Sequence, residues 1–77
     1  MGYVIVEFQE RREVLVNNFS QGDNRDENGE YRILRVGDGL QTFRLGGPQD
    51  YRPPSQTVEV ADTTPIQPLR VVFQKNG

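Results

Sequence analysis

The apolar residues of this chain recur at every second position in short runs, and this spacing limits the folds that the chain can adopt. Side chains of a β-strand point alternately to the two faces of a sheet, so this spacing is typical of strands. The runs are residues 3–8, 13–17, 31–36, 40–45, 56–60 and 69–73. They predict an all-β fold, a small antiparallel β-sandwich of about six short strands.

Two polar segments interrupt the runs. Residues 17–30 are rich in Asn, Asp and Gly, and an unstructured segment of this length is often functional or mobile. Residues 46–55 contain two glycines and three prolines, which predicts a stiff surface connector. A chain of 77 residues is sufficient for one domain. We therefore expect residues 1–77 to form a single β-sandwich with a long polar loop at 17–30, more mobile than the strands.

A Gly-Asp-Gly sequence at 37–39 separates the third and fourth runs. Asp-Gly favours a two-residue hairpin turn, in which both central residues have positive φ. A turn formed by that pair would place Leu34 opposite Phe43 in the core. Arg35 and Arg44 would then lie outside. A three-residue loop would shift the pairing by one residue and turn one strand over, so we favour the two-residue loop.

The composition excludes several kinds of chemistry. The chain has no cysteine and no histidine, and therefore lacks a thiol nucleophile, the commonest metal ligand and the commonest general base at neutral pH. Ser20 and Ser55 have no base partner visible in the sequence, and a domain of this size rarely offers the cleft that paired carboxylates need. We expect neither an enzyme nor a cofactor. No apolar run approaches the ~18 residues of a membrane span.

Residues 24–29 match the first half of a calcium-binding loop. Asn24, Asp26 and Asn28 would be the alternating oxygen ligands. The acid that such a loop needs further along is absent, because Arg35 occupies its position. A solvated loop built from turn-forming residues accounts equally well for the sequence of residues 24–29. We therefore predict no metal site, and the sequence leaves open whether the loop binds an ion.

Arginine outnumbers lysine eight to one, and several arginines lie on or beside the predicted strands. With Tyr31 and Tyr51 they could form a stacking platform for single-stranded nucleic acid. Acidic residues are interleaved throughout, and the net charge is −2, which argues against such a partner. The competing interpretation is cross-strand pairing on an exposed face, with Arg35 or Arg44 against Glu59.

Loops on a rigid sandwich commonly carry recognition, so the end bearing residues 17–30, joined by 46–55, is the expected contact surface. Phe19 is interpreted as a lid over the core, with an exposed contact residue as the alternative. Tyr51 is expected to pack back on the sandwich beside a solvated Arg52, although Tyr-Arg-Pro-Pro could also be a proline-rich ligand. The candidate partner contacts are Phe19, Arg25, Asp26, Tyr51 and Arg52.

From residue 13 onward the pattern resembles the PEGA domain, a small bacterial β-sandwich with a prealbumin-like shape. The resemblance lies in Val-Leu-Val-Asn-Asn at 14–18, the strand, glycine turn and strand at 34–45, Tyr51 with the prolines after it, and Val-Glu-Val at 58–60. It departs from the family at residues 9–12, where Gln-Glu-Arg-Arg stands in place of Pro-Glu-Gly-Ala. The resemblance implies a non-catalytic accessory domain of a larger bacterial surface or envelope protein.

These features predict a non-enzymatic β-sandwich module for binding or assembly, with a protein or polysaccharide surface as its partner. We expect a monomer or weak oligomer. Weak single-stranded nucleic-acid binding through an Arg/Tyr face is the alternative, and a steep salt dependence would distinguish it. The domain would be extracytoplasmic within an envelope protein and cytoplasmic otherwise.

Overall fold

The computed structural model of the protein describes residues 1–76, which form nine β-strands and no helix. The strands are β1 (Gly2–Glu7), β2 (Glu13–Val16), β3 (Phe19–Asp23), β4 (Leu34–Val36), β5 (Gly39–Leu45), β6 (Tyr51–Arg52), β7 (Gln56–Val60), β8 (Leu69–Val72) and β9 (Gln74–Lys75). The all-β prediction is confirmed, and the arrangement is consistent with a β-sandwich. In the same residues no helix is present that could cross a membrane. The strand count exceeds six because β3, β6 and β9 lie in segments predicted as loops or strand ends.

Three sheets make up the fold. The first has the strand order β4-β1-β8, the second β3-β2-β5-β7, and β6 pairs with β9 in a small sheet of two strands. All pairings are antiparallel except that of β1 with β8, which is parallel. A parallel pair needs a long connection between its strands. Here that connection contains the whole second sheet.

The core lies between the first and second sheets and contains the inward-facing side chains of both. In β1 alternate residues are buried, as the period of two predicts. The close approach of β1 to β7 requires Gly2, because a Cβ atom there would overlap Cγ1 of Val60. The buried apolar residues are Val4, Val6, Phe8, Val14, Val16, Leu34, Val36, Phe43, Leu45, Tyr51, Val60, Val71 and Phe73.

The predicted hairpin between β4 and β5 does not form. β4 pairs with β1, whereas β5 pairs with β2 and β7. The Gly-Asp-Gly segment at 37–39 therefore carries the chain from the first sheet to the second, with Gly39 at φ +98°. Leu34 and Phe43 are both buried, as predicted, but belong to different sheets. The alternation of apolar and polar residues determines which side chains face inward. Which strands pair with each other depends on packing between distant segments.

A two-residue hairpin turn does occur, but at Asn17 and Asn18. Their φ angles are +52° and +70°, and Val16 lies opposite Phe19 across the turn. Asparagine tolerates positive φ better than other non-glycine residues, so an Asn-Asn pair suits this turn. The prediction of a loop at 17–30 is therefore wrong for the first half of the segment, where the chain forms the turn and then β3. The expected mobility of this segment stays a prediction.

Candidate functional site

The candidate contacts do not form one surface. β3 runs the length of β2, since Phe19 lies opposite Val16 and Asp23 lies opposite Glu13. Phe19 is 73% exposed beside the turn at 17–18, and the lid interpretation is therefore wrong. Arg25 follows the other end of β3. Residues 17–30 thus extend between the two ends of the sandwich instead of covering one of them.

Tyr51 belongs to the core, as its packing interpretation anticipated. Its hydroxyl donates to the carbonyl oxygen of Leu45 at 2.8 Å and accepts from the amide of the same residue at 3.1 Å. Its ring makes edge contacts with Phe8 and Phe73. Tyr51 is therefore unavailable to a partner. The next residue, Arg52, is exposed. A nucleic-acid platform that uses both Tyr31 and Tyr51 cannot form.

A groove of about 560 Å³ lies at the carboxyl ends of β1 and β8. The two strands are still joined where the amide of Phe73 donates to the carbonyl of Glu7 at 2.9 Å. They then diverge, because β9 pairs with β6 while the chain after β1 turns into β2. The groove is the gap that this divergence opens. Its lining consists of Glu7, Phe8, Gln9, Arg25, Tyr31, Val72, Phe73, Gln74 and Lys75.

Arg25 is the one candidate contact that lines this groove. Its guanidinium lies 4.1 Å from the centroid of the Tyr31 ring, a favourable cation–π contact. Nη2 donates to the carbonyl of Phe8 at 3.0 Å and to the Tyr31 hydroxyl at 2.9 Å, and Nη1 donates to the carbonyl of Gly29 at 2.7 Å. These bonds hold the arginine flat against the groove wall.

Asp26 lies outside the groove and shapes the loop at 25–31. Its Oδ1 accepts hydrogen bonds from the amides of Asn28 and Glu30 at 2.9 and 3.0 Å. Asn24 is fully buried, and its Oδ1 accepts from the amide of Arg12 at 2.8 Å. Of the three side chains that a calcium loop would use, Asn24 and Asp26 thus have an oxygen bonded to backbone amides. Within residues 1–76, no three acidic side chains are grouped so that they could hold a metal ion.

The charged side chains that line the groove are engaged within the protein. Glu7 and Lys75 have partners of opposite charge, and Arg25 is hydrogen-bonded to backbone carbonyls. Glu7 accepts a hydrogen bond from Arg70 at 2.7 Å. Lys75 forms ion pairs with Glu10 and with Asp50, the latter at 3.4 Å. Two exposed amide side chains, Gln9 and Gln74, complete the polar lining. The groove therefore presents neutral hydrogen-bonding groups and little net charge.

Arg12 does not line the groove, but its guanidinium lies 5.4 Å from the ring centroid of Phe8, which does. Its side chain is 13% exposed, and Nη2 donates to both carboxylate oxygens of Asp50 at 2.7 and 2.8 Å. Nη2 also reaches Glu10 at 3.0 Å, and Nη1 reaches the carbonyls of Gly46 and Pro48. The guanidinium thereby joins the β1–β2 turn to the 46–50 segment.

The same ion pairs shift the pKa values of their members. A hydrogen bond from Arg12 lowers the pKa of Asp50, and a hydrogen bond from Lys75 lowers the pKa of Glu10. Reciprocally, Asp50 raises the pKa of Arg12 and Glu10 raises the pKa of Lys75. The network is therefore fully charged at neutral pH.

Acid should weaken the fold through this network. A carboxylate whose pKa is lower in the folded state stabilises the fold above its unfolded pKa, and this contribution is lost as pH falls through the folded pKa. We expect the melting temperature to decrease once the pH drops under about 4, which is near the ordinary pKa values of carboxylates. Asp50→Asn should flatten this dependence in thermal melts between pH 7 and pH 2.

Glu59→Gln is the matched control, because Glu59 lies on β7 outside the network. This variant should keep the wild-type pH dependence. An Asp50→Asn variant with an unchanged acid transition would contradict a role for the Arg12–Asp50 pair.

The predicted pairing of Arg35 or Arg44 with Glu59 does not occur. Glu59 lies opposite Leu40, and Arg44 lies opposite Leu15 with its Nε donating to Oδ1 of Asn18 at 3.0 Å. Arg35 is on β4 and cannot reach Glu59 across a strand pair, because β4 belongs to the other sheet. Arg44 lies on the strand next to β7, but the register of β5 and β7 places Leu40 and not Arg44 opposite Glu59.

Comparison of the chain with models of protein families, with curated proteins and with solved structures finds no match.

Proposed function

We propose that the protein is a non-enzymatic module for binding or assembly, and that the groove between the diverging ends of β1 and β8 is its contact surface. The groove supports this proposal because it is built on strand ends and its charged groups are held by structural partners. Side chains already engaged in this way are poorly suited to proton transfer or nucleophilic attack. They are well suited to form a fixed, polar wall.

The lining favours a partner of low charge. A polyanion would gain little here, because Lys75 is paired with Glu10 and Asp50 and leaves Arg25, whose partners are neutral, as a single positive charge. The amides of Gln9 and Gln74 can both donate and accept hydrogen bonds, which suits the hydroxyl and amide groups of a polysaccharide or protein surface. In the same proposal, the domain is an accessory part of a larger bacterial surface or envelope protein, as its PEGA-like pattern implies.

An array of neutral and acidic bacterial polysaccharides and surface proteins, probed with the labelled domain, tests this function. We expect retention on neutral polymers with little dependence on salt. Replacing both Gln9 and Gln74 by alanine should lower affinity roughly tenfold or more, because about two hydrogen bonds are lost.

Gln67→Ala is the matched control, because it removes the same side chain from an exposed turn outside the groove. It should leave retention unchanged. Equal loss in the control and the groove variant would remove the groove from the proposal. Salt-sensitive retention on single-stranded DNA would instead favour the nucleic-acid alternative.

A further inference from the structure

The two main sheets have four edge strands, and three of them are poor templates for pairing. β3 carries a β-bulge, with Gly22 at φ +84°, and β4 is only three residues long. In β8, the carbonyl of Val72 accepts a hydrogen bond from the side chain of Gln56. Bulges, short length and covering groups are the usual means by which proteins protect sheet edges.

Along residues 57–60, β7 has none of these protections; its first residue, Gln56, is the one whose side chain bonds Val72 of β8. The five residues of β7 pair with β5 in an unbroken antiparallel register. Among residues 1–76, β5 is the only strand hydrogen-bonded to β7, and no turn or loop bonds its outer edge through the backbone. An open, regular edge offers its free amides and carbonyls to another strand.

We propose that β7 of a second copy of this chain pairs antiparallel with this edge, so that two molecules form one continuous sheet. The pairing has a two-fold axis through Val58. Under that symmetry, Val58 lies opposite its own copy, and Thr57 of each molecule lies opposite Glu59 of the other. Each contact therefore occurs twice, as in any two-fold interface.

The sequence of β7 selects this register. A shift of one residue would place the core-facing side of one strand beside the outer side of the other. A shift that centres the pair on Glu59 would bring two like charges together, which destabilises a sheet. A shift that centres it on Thr57 would bring Pro54 opposite Val60, and proline has no amide proton to donate.

The side chains at the edge fit a second strand. Val58 packs against the core yet is only half buried, and Val58 of the second copy would cover its exposed side. On the outer face, Glu59 would accept from the hydroxyl of Thr57 of the second copy. One strand of five residues is a small interface, well below the ~1,000 Å² of stable complexes, so the dimer is weak and forms at high concentration.

Opposite charges introduced at Thr57 test the pairing. Thr57→Lys places a cation opposite Glu59 of the second copy at two equivalent positions, whereas Thr57→Glu places a like charge there. Cross-strand pairs of this kind contribute modestly each, so the dimer dissociation constant should fall roughly tenfold in the first variant and rise roughly tenfold in the second. Sedimentation velocity over a range of concentrations measures both.

The same two substitutions at Thr42 serve as controls. The hydroxyls of Thr42 and Thr57 are hydrogen-bonded at 2.9 Å, so either position loses the same bond, but Thr42 lies on β5, away from the axis. Circular dichroism verifies that all variants remain folded. Opposite shifts at Thr57 alone support the dimer. A chain that stays monomeric at millimolar concentration even with Thr57→Lys, or equal effects at both positions, would overturn it.

Discussion

Phe43→Ala is expected to destabilise the domain by about 3–5 kcal/mol, most of the stability that a chain of this size has. Phe43 is completely buried on β5, opposite Val16 on one side and Gln56 on the other. Truncation removes a phenyl ring from the centre of the second sheet and leaves a cavity that the sheet cannot close. Urea unfolding followed by circular dichroism should show a much lower midpoint, or a chain unfolded before denaturant is added.

Arg44→Ala is the control for this prediction, since Arg44 is the next residue on the same strand and faces the other way. Its hydrogen bond to Asn18 is exposed, so its loss should change the free energy of unfolding by less than about 0.5 kcal/mol. If Arg44→Ala unfolds the domain while Phe43→Ala is tolerated, the register of β5 is wrong by one residue.

Asn24→Leu should destabilise the domain by about 2–4 kcal/mol, although leucine is similar in size. Asn24 is the only fully buried polar side chain among the described residues. Its Oδ1 accepts from the amide of Arg12, and its Nδ2 donates to the carbonyl of Glu10 at 3.2 Å. Leucine would leave these partly buried backbone groups without their partners, at about 1–3 kcal/mol each.

Asn28→Leu tests whether the effect depends on burial. Asn28 is exposed in the loop that follows, and in the wild type only its backbone amide is bonded, to Asp26. This variant should lie within about 0.5 kcal/mol of the wild type in urea melts. Hydrogen exchange of the Arg12 amide should accelerate in Asn24→Leu and not in Asn28→Leu. Equal stability of the two variants would contradict an anchoring role for Asn24.

The sequence was a good guide to which side chains face the core. Leu34, Val36, Phe43 and Leu45 are all buried, as their spacing predicted, because alternation is a local property of an extended chain. Strand pairing is not local. The Asp-Gly pair has a strong turn propensity, yet packing placed β4 beside β1, and the two-residue turn formed at residues 17–18 instead.

The candidate site was harder to predict for the same reason. Arg12 and Asp50 are far apart in sequence, and neither has a neighbour that signals an ion pair. The residues around Asn24 are compatible with both a solvated loop and a calcium-binding motif, and the sequence there contains no pattern that indicates the burial of Asn24. Only Arg25, among the candidate contacts, lines the groove.

The parallel pairing of β1 with β8 bears on how the domain would respond to mechanical load. These strands lie side by side near the two ends of the described chain and point in the same direction. A force that pulls residue 1 and residue 76 apart would act first on the short pairing of β9 with β6 and then slide β8 along β1. The bonds between β1 and β8 would be loaded together instead of breaking in turn as a zipper does. A domain built in this way resists extension along that direction more than one whose terminal strands peel apart.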